Sequence, residues 1–287
     1  MSTMRIAVAF KVTPDFEALR ESEWAAAVEA TATRTTVTAA AGVDARYVRR
    51  ILNCFDESAL ELALRAADRL TESGVAASLE AVTVGGAETE PYLKTLLALG
   101  YERAARVHTE AALDFAPQLT ASIIAALVSR DRRCDVLMTG VRSGPGDGGT
   151  VPFRIAEALH WPCLAQVTEV ELLDASRLRV TCATGGGLLR ATVRTPCVLA
   201  VGNALVSHLR VPTLTDRLRR RDVTVSVLDA ADLGLDVAAG SAETTCVLTG
   251  LEAVDRSRPG LLIDGASPRD KARKLYDARL RSLLETL

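Results

Sequence analysis

The chain has 287 residues, 48% of them hydrophobic, which is material for one large or two modest domains with a real core and excludes global disorder. Its 34 basic and 36 acidic residues leave a net charge of −2, so there is no cationic excess to neutralise a nucleic-acid backbone. No apolar run reaches the ~18 residues that a membrane span requires, and the six cysteines, dispersed without a CxxC pair, suit reduced thiols in a cytoplasmic protein rather than a disulfide framework or a zinc site.

The N-terminus runs directly into RIAVAFKV, which reads as a folded strand over Arg5 to Val12 and not as a signal peptide. From Phe16 to Leu52 the chain is polar and alanine-rich, and this one long connection is expected at the edge of the sheet, with a helix near Glu21 to Thr31 and a hairpin around Thr35 to Thr38. A helix follows over Ser58 to Leu70, with Ala59, Leu60, Ala63, Leu64 and Ala67 on one face, then a strand over Leu79 to Val84 that Gly85 and Gly86 end. Glu90 to Leu99 reads as a helix stopped by Gly100, because glycine takes the left-handed conformation just past a helix end. A strand over Ala104 to His108, a helix over Gln118 to Ser129 and a strand over Cys134 to Thr139 continue the alternation. Such alternation of short apolar runs with helical periodicity predicts a parallel sheet with crossover helices, an α/β fold.

After Pro162 the texture changes. Val167 to Leu172 and Leu178 to Thr181 look like an antiparallel pair, and Leu189 to Val193 and Cys197 to Val201 continue as strands after the triplet Gly185 to Gly187. The expected organisation is an α/β domain over 1–222, including an antiparallel extension at about 163–211, and a C-terminal arm over 223–287. That arm ends in a helix opening at Ser267-Pro268 with an apolar stripe through Leu275, Tyr276, Leu280, Leu283, Leu284 and Leu287, which calls for a surface to pack on. The basic run Arg217 to Arg221 reads as a solvated face, and His108, His160 and His208 as packing or surface residues.

The segment from Asp135 to Pro162 carries the first functional signal. An apolar strand breaks into a loop with Gly140, Gly144, Gly146, Gly148 and Gly149, then becomes a helix near Val151 whose amide donors point back at the loop. This is how an α/β domain builds a nucleotide pocket, although a plain surface loop has the same composition. A second signal is Asn53-Cys54-Phe55-Asp56, an asparagine cap three residues ahead of an aspartate that would offset the positive end of the helix.

The pattern N-x-F-D-E-x-A-L-E-x-A-L, followed in order by AVTVGGAETE, LLALGYERAARV and the Asp135 to Pro162 block, closely resembles the beta (small) subunit of electron transfer flavoproteins. KVTPD at Lys11 to Asp15, the Gly186-Gly187-Leu188 triplet, RVPTL at Arg210 to Leu214 and DLGLD at Asp232 to Asp236 extend the resemblance over most of residues 4–236. It implies a Rossmann-like sheet of the adenine-nucleotide-hydrolase type and a heterodimer in which an alpha subunit holds most of an FAD. The beta subunit shields that flavin and usually buries an AMP, while electrons pass from a dehydrogenase to a quinone oxidoreductase or another carrier. This chain itself would catalyse no bond change.

Matched by position, the resemblance implies a nucleotide site at Ala9, Lys11, Asn53, Cys54, Phe55, Asp56, Val84, Gly140, Arg142, Ser143, Gly144, Asp147, Gly148, Gly149, Thr150 and Val151, with Phe16 near the flavin where the family often has tyrosine. It implies partner docking at Leu205, Val206, Ser207, His208, Leu209 and Arg210. The chain departs from the family where Gly140-Val141-Arg142 replaces Gly-Lys-Gln, where the amide-rich run at the loop's end is absent, and where Cys54 replaces proline. Three occupants of the pocket therefore stay open: AMP, another adenine nucleotide, or none. Two other readings also stay open, a structural partner subunit that has lost its nucleotide, and an adenine-nucleotide-binding protein of the same fold.

Overall fold

The computed structural model describes residues 3–32, 48–72, 76–109, 113, 115–130, 134–144, 149–174, 176–205, 207–235, 260 and 262–285. Seven strands alternate with helices through the first part of the chain. They are β1 (Thr3–Ala9), β2 (Val12–Pro14), α1 (Glu21–Ala32), β3 (Arg50–Leu52), α2 (Cys54–Glu72), β4 (Ala76–Val84), α3 (Glu90–Leu99), β5 (Arg103–His108), α4 (Pro117–Arg130), β6 (Val136–Gly140), α5 (Val151–Leu159) and β7 (Cys163–Asp174). Strands β8 (Arg177–Thr184), β9 (Gly187–Arg194) and β10 (Cys197–Val201) follow, then α6 (Leu214–Arg219), β11 (Ser226–Asp229) and α7 (Pro268–Leu275). Gly100 has φ +115°, so the predicted glycine stop ends α3 at Leu99.

Nine strands form one sheet in the order β11-β5-β4-β1-β6-β10-β7-β8-β9, parallel from β11 to β7 and antiparallel from β7 to β9. The central strands are buried on both faces, which is why they read as unbroken apolar runs. Met4, Ile6 and Val8 pack with α2 and α3 residues such as Leu60, Leu64, Leu93 and Leu97, whereas Ala7 and Ala9 face Ala121, Ile124 and Val128 of α4 and Ile155 of α5. Each buried leucine contributes about 1.5–3 kcal/mol. Tyr101 is wholly buried in the first layer, and its hydroxyl donates to the Leu60 carbonyl.

The chain leaves β1 toward β4 and β5 with α2 and α3 on one face, then returns through α4 to β6 on the other side of β1. Register fixes the junction: Ile6 lies opposite Leu79 of β4 on one side and Val136 of β6 on the other. The predicted antiparallel segment is a direct continuation of this sheet. β7 runs parallel to β10 up to Val167 and then pairs with β8, with Gln166 in a left-handed conformation at φ +55° where the register shifts. Gly202 is required there, since a Cβ on it would lie 2.3 Å from the Gln166 side chain and 3.1 Å from its Cα.

The long connection was expected at the sheet edge. Its described part forms α1, the helix expected near Glu21 to Thr31, and then β3, which pairs antiparallel with β2 in a separate two-stranded sheet just past the end of the central strand β1. Asn53 N–H donates to the Lys11 carbonyl and continues that pairing into α2, so the connection returns to the middle of the fold because α2 must start there. The hairpin expected around Thr35 to Thr38 lies outside the described residues.

β11 lies past the 222/223 boundary and hydrogen-bonds along β5, and the chain divides into two compact units at Met1–Leu251 and Glu252–Leu287. In the second unit α7 opens as its sequence predicts, with the Ser267 hydroxyl accepting from Asp270 N–H and proline in the first turn, and Leu275, Tyr276, Leu280, Leu283 and Leu284 are exposed. No helix among the described residues is long and apolar enough to cross a membrane.

Candidate functional site

In an open α/β sheet the carboxyl ends of the two strands flanking a reversal of order leave a crevice, because the loops that follow them leave toward opposite faces. Here the reversal falls between β1 and β6. Lys11 therefore follows β1 on one side of the crevice, Gly140 to Gly144 follow β6 on the other, and the start of α2 stands beside both.

A buried carboxylate ties these three ends together. Asp56 Oδ2 accepts from Lys11 N–H at 2.9 Å and from the Asn53 side-chain amide at 3.0 Å, while Oδ1 accepts from Gly140 N–H at 2.6 Å. Asn53 Nδ2 also donates to the Arg142 carbonyl at 2.9 Å, so both of its amide hydrogens are used. Burial pushes the Asp56 carboxyl up to about 6, against the opposing pull of these hydrogen bonds and of the Lys11 charge.

These contacts revise two expectations. Asn53 and Asp56 do more than cap α2: they hold the first turn of the helix to the ends of β1 and β6. Gly140 is glycine because a Cβ would sit 2.5 Å from Asp56 Oδ1 and 2.8 Å from Phe55 Cβ, so packing against α2 by itself requires glycine here, and its amide is already bonded.

Ala9 is buried, Lys11 and Val84 are half-buried, and Cys54 is exposed on the first turn of α2. The Arg142 guanidinium lies 5.7 Å from the centre of the Phe55 ring, a cation–π arrangement that links the glycine loop to α2. Ser143 is half-buried and Gly144 exposed, Gly149 has φ +53°, and Val151 opens α5. Thr150 stands at the N-cap of α5, yet its hydroxyl makes no capping bond, and Oγ1 is buried with no hydrogen-bond partner among the described residues. Phe16 packs on Trp24, with ring centres 5.9 Å apart. Asp147 and Gly148 lie outside the described residues.

The family model for the electron transfer flavoprotein domain matches residues 41–256, most of the chain and all of this crevice except its β1 wall. The chain belongs to the electron transfer flavoprotein family. It is 33% identical over 282 residues to the putative electron transfer flavoprotein subunit YgcR of Escherichia coli (strain K12), covering 98% of this chain and 100% of that protein. It is also similar to the electron transfer flavoprotein subunit beta of Bacillus subtilis (strain 168), 29% identical over 188 residues, covering 65% of this chain and 70% of that one. The Bos taurus subunit beta is 27% identical over 198 residues, covering 68% and 75%.

The other expected surface of this flavoprotein-family chain, Leu205 to Arg210, leaves β10 and folds back along α2. Leu205 is 85% exposed and Ser207 and His208 are exposed, while Val206 lies outside the described residues. The end of the segment is anchored: Leu209 N–H donates to Glu57 Oε1 at 3.1 Å, and Arg210 N–H donates to Glu61 Oε2 at 3.1 Å. The Arg210 guanidinium adds bonds to Glu61 at 3.0 Å and to Asp68 at 2.8 Å. Glu61, only 4% exposed, loses hydration by burial, but Arg210 and Arg65 outweigh that loss and hold its carboxyl below the usual range. Leu209 and Arg210 are thus structural anchors, and the exposed stretch is Leu205 to His208 with its one undescribed residue.

Glu57, Glu61 and Asp68 were not among the expected site residues. By helical spacing they lie together opposite the apolar stripe of α2, a pattern that reads as a solvated face, so nothing local signals that Glu61 is buried and paired. Its partner, Arg210, lies 149 positions away.

Proposed function

We propose that this chain is the beta-type subunit of a heterodimeric electron transfer flavoprotein, covering one side of an FAD held mainly by an alpha subunit. When bound, the FAD accepts electrons from a donor dehydrogenase and releases them to a quinone oxidoreductase or another carrier; the chain itself makes and breaks no bonds. Its residues would position the flavin, exclude water and dock the partners, with Phe16 an apolar neighbour of the isoalloxazine and Leu205 to His208 meeting a redox partner. The observation that carries this reading is that the two segments most like the beta family, Asn53 to Asp56 and the start of the glycine loop at Gly140 to Arg142, meet at the crevice between β1 and β6.

Within the crevice, the orphaned Thr150 hydroxyl beside Gly149 and the α5 N-terminus is suited to a phosphate oxygen, with Ser143 as a further hydroxyl and Phe55 or Val84 against a base. AMP is the ligand this donor set fits. A second reading is favoured by one observation: Gly140 N–H and both Asn53 amide hydrogens are satisfied within the chain, which leaves fewer donors for a nucleotide and suits a structural partner that binds none. Denaturing the purified heterodimer and identifying the released nucleotides separates the two. Stoichiometric AMP beside FAD supports the first, FAD alone the second, and neither rejects the flavoprotein assignment.

A further inference from the structure

The sheet ends in two unequal edges. On one side the last strand is β11, only four residues long. On the other it is β9, eight residues long, paired with β8 along its whole length, with no described strand beyond it. Gly187 to Arg194 contain no proline and no register shift against β8, so nothing in the backbone interrupts this edge. Leu188 and Leu189 are 70% and 55% exposed at its start. A long, regular edge strand with exposed leucines is a template for another strand and is normally covered in a stable protein.

The ladder identifies the available groups. Thr195 N–H donates to the Ser176 carbonyl, and counting back along the antiparallel register places the backbone of Gly187, Leu189, Ala191 and Val193 toward β8. The N–H and C=O groups of Leu188, Arg190, Thr192 and Arg194 point to the free edge. Charge selects the occupant. Of the three acids on β7, Asp174 is paired with Arg177 and Glu171 with Arg179, while Glu169 accepts from the Thr181 hydroxyl; Arg190 and Arg194 make no ion pair among the described residues. A second copy of this strand would bring two more arginines and no acid, so self-pairing is opposed while an acidic strand is attracted.

We propose that the free edge of β9 receives an extended acidic segment of the alpha subunit as a tenth strand, with Leu188, Arg190, Thr192 and Arg194 supplying the backbone bonds and the two arginines the charge selection. This rests on the heterodimer reading above and adds where the subunits join.

The test uses the full chain coexpressed with the alpha-type subunit of the same genome and purified as a complex by size exclusion, with residue-resolved amide hydrogen exchange on the complex and on the chain alone. Protection should rise at least tenfold at Leu188, Arg190, Thr192 and Arg194, and little at the amides already bonded to β8. Thr192→Pro removes only an edge-facing donor, and Arg190→Glu with Arg194→Glu reverses the charge. Each should leave the melting temperature of the isolated chain nearly unchanged and weaken the complex by tenfold or more. A stable complex whose β9 edge amides exchange as in the isolated chain overturns the proposal while sparing the heterodimer. Failure to form any complex removes both, and a homodimer protected along β9 overturns the charge argument.

Discussion

The buried Asp56 carboxylate makes a prediction whose sign is fixed by two opposed effects. Three donors stabilise its charge, yet burial outweighs them and the carboxyl lies near 6 instead of 3.8. A carboxylate with a raised folded-state value contributes most stability where it is neutral in both states, below about 3.8, and that contribution is lost as pH rises through the folded-state value of about 6. The full loss corresponds to about 3 kcal/mol, of which roughly 2 kcal/mol falls between about pH 4.5 and 7.5. Glu61, Asp174 and Asp216 are held below their usual range and titrate with the opposite slope in acid, so the wild type must be compared with Asp56→Asn, which lacks only the one titration. Urea unfolding of both proteins across this window should show the wild type losing about 2 kcal/mol relative to the variant as pH rises. A constant difference, or a wild type that gains on the variant toward neutral pH, would refute the reasoning and show that the three hydrogen bonds outweigh desolvation. A carboxyl carbon-13 titration of Asp56 gives the same answer directly.

Gly140→Ala should destabilise the fold by about 1–3 kcal/mol in the same unfolding assay, because a Cβ would lie 2.5 Å from Asp56 Oδ1 and cannot relax without moving α2. Glu61→Ala should cost about 1–3 kcal/mol, discounted for the partial exposure of Arg210, and should speed amide exchange selectively at Arg210, whose N–H it frees, with a smaller effect at Leu209, which Glu57 still holds; uniform exchange changes would show that the anchor is not local. Thr150→Val keeps the shape of the α5 N-cap and removes its orphaned hydroxyl, so the nucleotide retained through purification should fall with unchanged thermal stability. Asp147→Ala should lower it as well, and full retention in both variants would exclude the loop from the ligand's contacts.

Much of the fold is written in local patterns. The Gly100 stop of α3 and the Ser267-Pro268 start of α7 are decided by neighbours in sequence and formed where their patterns placed them, whereas the apolar run expected as one strand over Arg5 to Val12 divides into β1, ending at Ala9, and β2, starting at Val12 in the second sheet. The antiparallel segment from β7 to β9 was equally legible, because alternation and turn residues specify hairpins locally. Long-range partnerships were not legible. The Phe16 to Leu52 connection returns to the centre of the fold because β3 pairs with β2 and leads into α2, and nothing in its alanine-rich text signals that destination. The glycine loop and the Asn53 to Asp56 turn were visible as separate motifs, but only the fold shows Asp56 bonded to Gly140 across 84 positions, which gives Gly140 a packing reason for being glycine. In the same way nothing local to Arg210 signals that its guanidinium bonds Glu61 on α2.

The central claim is that this chain covers a flavin in a two-subunit electron carrier. The most direct measurement is the visible absorption spectrum of the full chain coexpressed with its alpha-type subunit and purified as one species, before and after addition of a candidate dehydrogenase with its substrate. The account predicts a yellow one-to-one heterodimer whose flavin bands bleach on reduction. A colourless, monodisperse chain that takes up neither partner nor flavin would contradict it.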